Sequence, residues 1–126
     1  WRTRDLNTTI ADPDGIVSIA SNQFTLGAGS YLIEGEAPGH DTDRHQLRLY
    51  NATTSTVVQY GRNAHMASHD TSQSDSFVSA RVTITSNTAF ELQHRCQTTK
   101  STSGLGVNSN FGGASIYALV KIYKEA

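Results

Sequence analysis

Apolar residues in this chain do not recur at the three-to-four-residue spacing of a helix. They come in short alternating runs, and that pattern is the tightest constraint on what the chain can fold into. Runs rich in β-branched and aromatic residues occupy 2–9, 16–20, 23–26, 30–37, 45–51, 56–60, 77–85, 89–98 and 114–124, with turn signals between them. "DPDG" at 12–15 has the form of a type I turn, and "GAG" at 27–29 marks another reversal. Pro13 and Pro38 fall at strand borders, where a missing N–H does little harm. The prediction is an all-β chain folded as a two-sheet antiparallel β-sandwich.

Alternation within the runs predicts a core of Phe24, Leu26, Leu47, Leu49, Val82, Ile84, Phe90, Leu92, Ile116, Val120 and Ile122, joined by either Leu32 or Ile33. The choice stays open at "YLIE" because both faces of that strand carry apolar groups. Cys96 shares the face of Phe90, Leu92 and His94, which predicts a small buried residue. A lone cysteine forms no internal disulfide and leaves the redox compartment undecided.

The last strand, "SIYALVKIYKE", poses the main question. One face carries Ile116, Ala118, Val120 and Ile122, an ordinary core face. The other carries Tyr117, Leu119, Lys121 and Tyr123. A wet row of Tyr117, Leu119 and Tyr123 is an aggregation liability on a monomer, so another chain is the natural cover. Its burial is worth on the order of 5 to 8 kcal/mol per protomer before association entropy is subtracted. A symmetric homo-oligomer is the simplest arrangement, and the pattern alone does not choose three copies over two.

With 126 residues, one domain is the default. The net charge of -1 with no basic block argues against a nucleic-acid surface, and no apolar run is long enough to insert in a membrane. The only methionine is Met66 and the chain opens at Trp1, which reads as the C-terminal piece of a longer protein.

Chemical motifs are sparse. Glu34 and Glu36 share one strand face about 6.5 to 7 Å apart, a spacing that overlaps that of inverting glycosidases, but alternating acids on a solvated face are far commoner. "HDTDRH" gathers His40, Asp41, Asp43 and His45, and "HMASHD" gathers His65, His69 and Asp70, without the spacing of a strong metal motif. In a trimer, one histidine on the axis becomes three ligands and leaves no spacing signature. No G-x-S-x-G elbow appears, and the glycines at 104, 106, 112 and 113 lack the ending of a phosphate loop. The sequons at Asn7 and Asn51 carry meaning only in a eukaryotic secreted protein. The scattered arginines, Arg2, Arg4, Arg44, Arg48, Arg62 and Arg81, read as surface or inter-chain partners of acids. No cofactor and no catalytic residue is expected.

Four stretches, "NQFTLGAGSYLIEGEAP", "RHQLRLYNATTSTVVQYG", "HRCQTTK" and "FGGASIYALVKIYKE", resemble in that order the jelly-roll domain of the tumour-necrosis-factor and C1q type found at the C-terminal ends of bacteriophage tail-fibre and tailspike proteins. The likeness spans nearly the whole chain. It implies one jelly-roll domain over 1–126, assembled as a compact homotrimer with its last strand near the threefold axis, at the tip of a virion fibre. It also implies receptor attachment, registration of three fibre chains, or both. The calcium-loop pattern that some C1q-like members carry is missing here.

The resulting expectation is a non-enzymatic receptor-binding tip that engages a bacterial surface glycan or outer-surface protein through trimeric avidity. Three stretches, 38–43, 61–75 and 98–110, read as loops, where binding groups concentrate. The candidate contacts are His40, Asp41, Asp43, Arg62, His65, His69 and Asp70. The rivals are a domain that only trimerises the fibre, a C1q-like soluble lectin domain, and a depolymerase using Glu34 and Glu36.

Overall fold

The computed structural model describes residues 1–67, 69 and 72–125. Among them there is no helix, and the strands are β1 (Arg2–Thr3), β2 (Val17–Ala20), β3 (Gln23–Leu26), β4 (Gly29–His40), β5 (Asp43–Asn51), β6 (Thr56–Met66), β7 (Gln73–Ile84), β8 (Thr88–Cys96) and β9 (Leu119–Glu125). They form two antiparallel sheets, one ordered β2-β3-β8-β5-β6 with β1 also paired to β8, the other ordered β7-β4-β9. The expected two-layer all-β architecture is therefore observed.

The inner faces meet in a core of Phe24, Leu26, Leu47, Leu49, Phe90 and Leu92 from the large sheet against Tyr31, Ile33, Ala37 and Val78 from the small one. Val82, Ile84, Val120 and Ile122 pack around its edge. The ambiguity at "YLIE" resolves to Tyr31 and Ile33 inward, each 1% exposed, with Leu32 turned outward. Gly35 lets the layers close at the centre of β4. A Cβ there would stand 2.7 Å from Leu92 Cδ1 and 3.2 Å from Val78 Cγ1, inside normal contact.

Several expectations are corrected. Ile116 is 63% exposed because it lies before the chain joins the core at Ala118, Val120 and Ile122, β9 beginning only at Leu119. Cys96 is exposed, since it ends β8 beyond the cover of the small sheet. Arg4 is 2% exposed and belongs to the interior. Two of the expected loops are largely strand. β4 runs through Pro38 to His40, and β6 runs to Met66 with β7 restarting at Gln73. Pro38 is tolerated because β9 pairs only with Ser30 to Glu36, so β4 is an edge strand at that point.

The extension of β6 depends on a bulge. The β5–β6 register shifts between Gln46 and Arg48, leaving Leu47 opposite an extra residue. Ser76, 0% exposed, mends the ladder: Leu47 N donates to Ser76 Oγ at 3.0 Å, and Ser76 Oγ donates to Arg62 O at 2.6 Å. One hydroxyl thus supplies an acceptor and a donor where the strands miss each other.

Candidate functional site

The outward face of the small sheet is the first candidate. Alternation puts Leu32, Glu34 and Glu36 of β4 in the middle. In register stand Arg81, Ser79 and Phe77 on β7, and Tyr123, Lys121 and Leu119 on β9. A shallow groove of about 460 Å³ is lined here by Glu34, Glu36, Arg62, Phe77, Leu119 and Lys121. Arg62 reaches it from β6, its guanidinium carbon 5.8 Å from the Phe77 ring centroid. Within this chain, Phe77 is 41% exposed, Tyr123 51% and Tyr117, just before β9, 37%. The groove thus combines the Phe77 ring and Leu119 with two carboxylates and two cations.

Phe77 is the residue that strand reading missed on this face. Alternation puts it on a strand, but its neighbours across the sheet depend on the pairing of β7 with β4, which no local pattern states.

The residues of "HDTDRH" form the β4–β5 turn, where Asp41 and Asp43 adopt φ of 53° and 57°. Short polar side chains tolerate that left-handed region better than most. His40 is buried, with its Nδ1 3.2 Å from Ser103 Oγ and its backbone N–H donating to Gly104 O at 3.0 Å. Thr98 Oγ1 donates to Asp43 Oδ2 in a short hydrogen bond, and Thr98 N–H donates to Thr42 O. These contacts tie the 98–104 segment to the turn. Asp41 Oδ1 is buried without a hydrogen-bond partner among the described residues.

The other candidates lie apart. His65 is exposed on β6 opposite Arg44, and His69 is exposed in the turn that follows. Asp70 lies outside the described residues. The structure therefore gathers His40, Asp41 and Asp43 in one turn and sends Arg62 to the groove. Among the described residues, no group of three or more His, Cys, Asp or Glu could hold a metal ion.

Sequence reasoning also missed a buried polar chain at this end of the sandwich. Arg4 NH2 donates to Leu105 O at 2.9 Å and to Tyr117 O at 3.1 Å, while NH1 reaches Pro38 O and His94 Nδ1, each at 3.4 Å. His94 Nε2 lies 2.8 Å from His45 Nδ1, and His45 Nε2 lies 3.0 Å from Ser74 Oγ. A guanidinium only donates, so the direction of every bond follows. His94 Nδ1 accepts from Arg4, His94 Nε2–H donates to His45, and His45 Nε2–H donates to Ser74.

Both rings are held neutral. Burial, then the Arg4 charge and the neighbouring His45, push the His94 pKa down to about 3. Burial lowers His45 as well, opposed by Asp75 and reinforced by Arg4 and His65. Burial also lowers Arg4 to about 10, against the pull of Asp5, leaving it charged at neutral pH. The arrangement fixes the backbone of Tyr117, so the exposed ring of the small-sheet face hangs from an interior anchor.

A scan of known protein families finds none that matches this chain, and a search of curated proteins finds no similar one.

Proposed function

We propose that this domain is a non-enzymatic attachment module, a homotrimer at the tip of a phage tail fibre that adheres to a bacterial surface glycan or outer-surface protein. The observation that carries the reading is the small-sheet face, which leaves Phe77, Tyr117 and Tyr123 wet in a single chain. A second copy covers it at an apolar gain, and Glu34, Glu36, Lys121 and Arg62 offer opposite charges for pairing across copies. The strand order adds support for a jelly roll. The connections β3 to β4, β4 to β5, β6 to β7, β7 to β8 and β8 to β9 each cross between the sheets. Trimeric display raises overall affinity by roughly 10²-fold or more where the sites engage together.

The test is twofold. Light scattering of the isolated domain should give three times 13.6 kDa, and the domain at micromolar concentration should compete with phage for adsorption to susceptible cells. A trimer that does not compete would favour the rival reading, a domain that registers three fibre chains. A stable monomer would remove both.

A further inference from the structure

We propose that the outward face of the large sheet carries a saccharide-binding platform, Trp1, Tyr60 and Tyr50 around Arg48, which takes an acidic pyranose of a surface polysaccharide. The proposal rests on the attachment reading for the source of its ligand, and it moves the contact from the loops to a sheet face.

Pairing builds the platform. Arg48 on β5 stands opposite Tyr60 on β6 and Gln93 on β8, and Tyr50 stands opposite Glu91. The Arg48 guanidinium carbon lies 4.3 Å from the Trp1 ring centroid and 5.2 Å from that of Tyr50. Trp1 and Tyr60 have centroids 5.9 Å apart with planes at 52°. Tyr60 is 51% exposed and Trp1 37%, so the rings are open to a ligand in this chain.

Beneath the rings, the polar groups fix one another. Arg48 Nε donates to Gln93 Oε1 at 2.8 Å, and Gln93 Nε2 donates to Glu91 Oε2 at 2.7 Å. Gln23 Nε2 and Thr3 Oγ1 also donate to Glu91, at 2.8 and 2.9 Å. Burial pushes the Glu91 carboxyl up, but these three donors together hold it below its ordinary value. The guanidinium is therefore held in place before any ligand arrives, which lowers the ordering cost of binding.

The chemistry selects the ligand. A pyranose has a face of C–H groups that suits an aromatic plane and a rim of hydroxyls that suits amides and guanidinium groups, and this patch offers both. Charge decides between neutral and acidic sugars. Arg48 and, by strand alternation, Arg95 share the face, whereas the Glu91 charge already has three donors, so an arriving carboxylate meets net positive charge. The flat face also suits a long polysaccharide, which slides no end group into a pocket.

The chain holds a single tryptophan, so its emission reports on this patch alone. The intact domain is titrated with tetragalacturonate and a hyaluronan tetrasaccharide as acidic probes and with cellotetraose as the neutral one, following Trp1 fluorescence and heat. Saturable binding of an acidic probe with a Kd of roughly 0.1 to 1 mM per site, weakened by salt, is expected. Tyr60→Ala and Arg48→Leu should each weaken it about tenfold, Tyr60→Phe should retain it, and Asp14→Asn in the exposed turn at 12–15 should leave it unchanged. Equal binding of acidic and neutral probes, binding of none, or binding indifferent to Tyr60→Ala overturns the platform. A domain that adsorbs to cells yet binds none of the probes overturns the platform and leaves attachment standing. Probe binding without adsorption does the reverse.

Discussion

The two outward faces of this sandwich use similar side chains and wire them differently. On the large sheet, Glu91 takes donors from Gln23, Gln93 and Thr3, and Arg48 is locked between Gln93 and two rings. On the small sheet, neither Glu34 nor Glu36 makes a hydrogen bond or ion pair among the described residues, though Lys121 and Arg62 line the same groove. A face whose polar groups hold one another is fixed in shape within one chain. A face that leaves carboxylates, cations and rings side by side without pairing them is the one on which the proposed association rests.

The most severe way to break this contrast is to charge the small-sheet row. Tyr117→Glu combined with Leu119→Lys should remove two of the three apolar side chains of the row, a loss on the order of 3 to 5 kcal/mol per protomer, and light scattering should show monomer or insoluble material. The same change should leave the large-sheet platform intact, as judged by unaltered Trp1 emission.

Acid sharpens the contrast from inside. His94 is held near 3 when folded and returns to about 6.5 when unfolded, so the unfolded chain takes up the proton first. Stability is full above pH 6.5 and should be lost progressively as pH falls toward 3, by on the order of 4 to 5 kcal/mol from this ring. His45 adds to the loss in the same direction. Denaturant titrations at stepped pH measure it, and His94→Gln should flatten the slope. Because Arg4 bridges His94 to the carbonyl of Tyr117, hydrogen exchange around residue 117 should rise in acid before exchange around Tyr50 does.

Gentler perturbations follow. Ser76→Ala removes the hydroxyl that mends the β5–β6 bulge and leaves Leu47 N–H unsatisfied, at a cost of about 1 to 3 kcal/mol. Its effect should fall on both faces, since Ser76 lies between the residues that aim Tyr60 and Arg62. The smallest change is Arg81→Ala. The Arg81–Glu125 pair at 3.0 Å is largely exposed, and its loss should shift stability by less than about 1 kcal/mol.

Local alternation made much of this fold legible. The strand Gln23–Leu26 and the inward set Phe24, Leu26, Leu47, Leu49, Phe90 and Leu92 follow from period two alone, because each faces a continuous core. It misled where tertiary context overrode it. Pro38 and Gly39 look like a break but sit on a stretch of β4 that β9 does not reach. Gly61 and Arg62 lose alternation at a bulge whose repair comes from Ser76, 14 residues on from Arg62. Ile116 fits the period yet precedes the strand. The candidate sites were less legible still, since Arg4 finds partners 34, 90, 101 and 113 residues away and Trp1 meets Arg48 only after β1 docks on β8. Sequence shows the rings and charges, while pairing decides which of them become neighbours.

The Arg4 anchor also sets an order of events during folding. Its guanidinium has no interior to enter until the backbone around Tyr117 is in place, so a chain folded only as far as β8 holds an unplaced cation and an unfinished layer. Closure waits for that distant segment, a late and long-range step of the sort that slows acquisition of the native state.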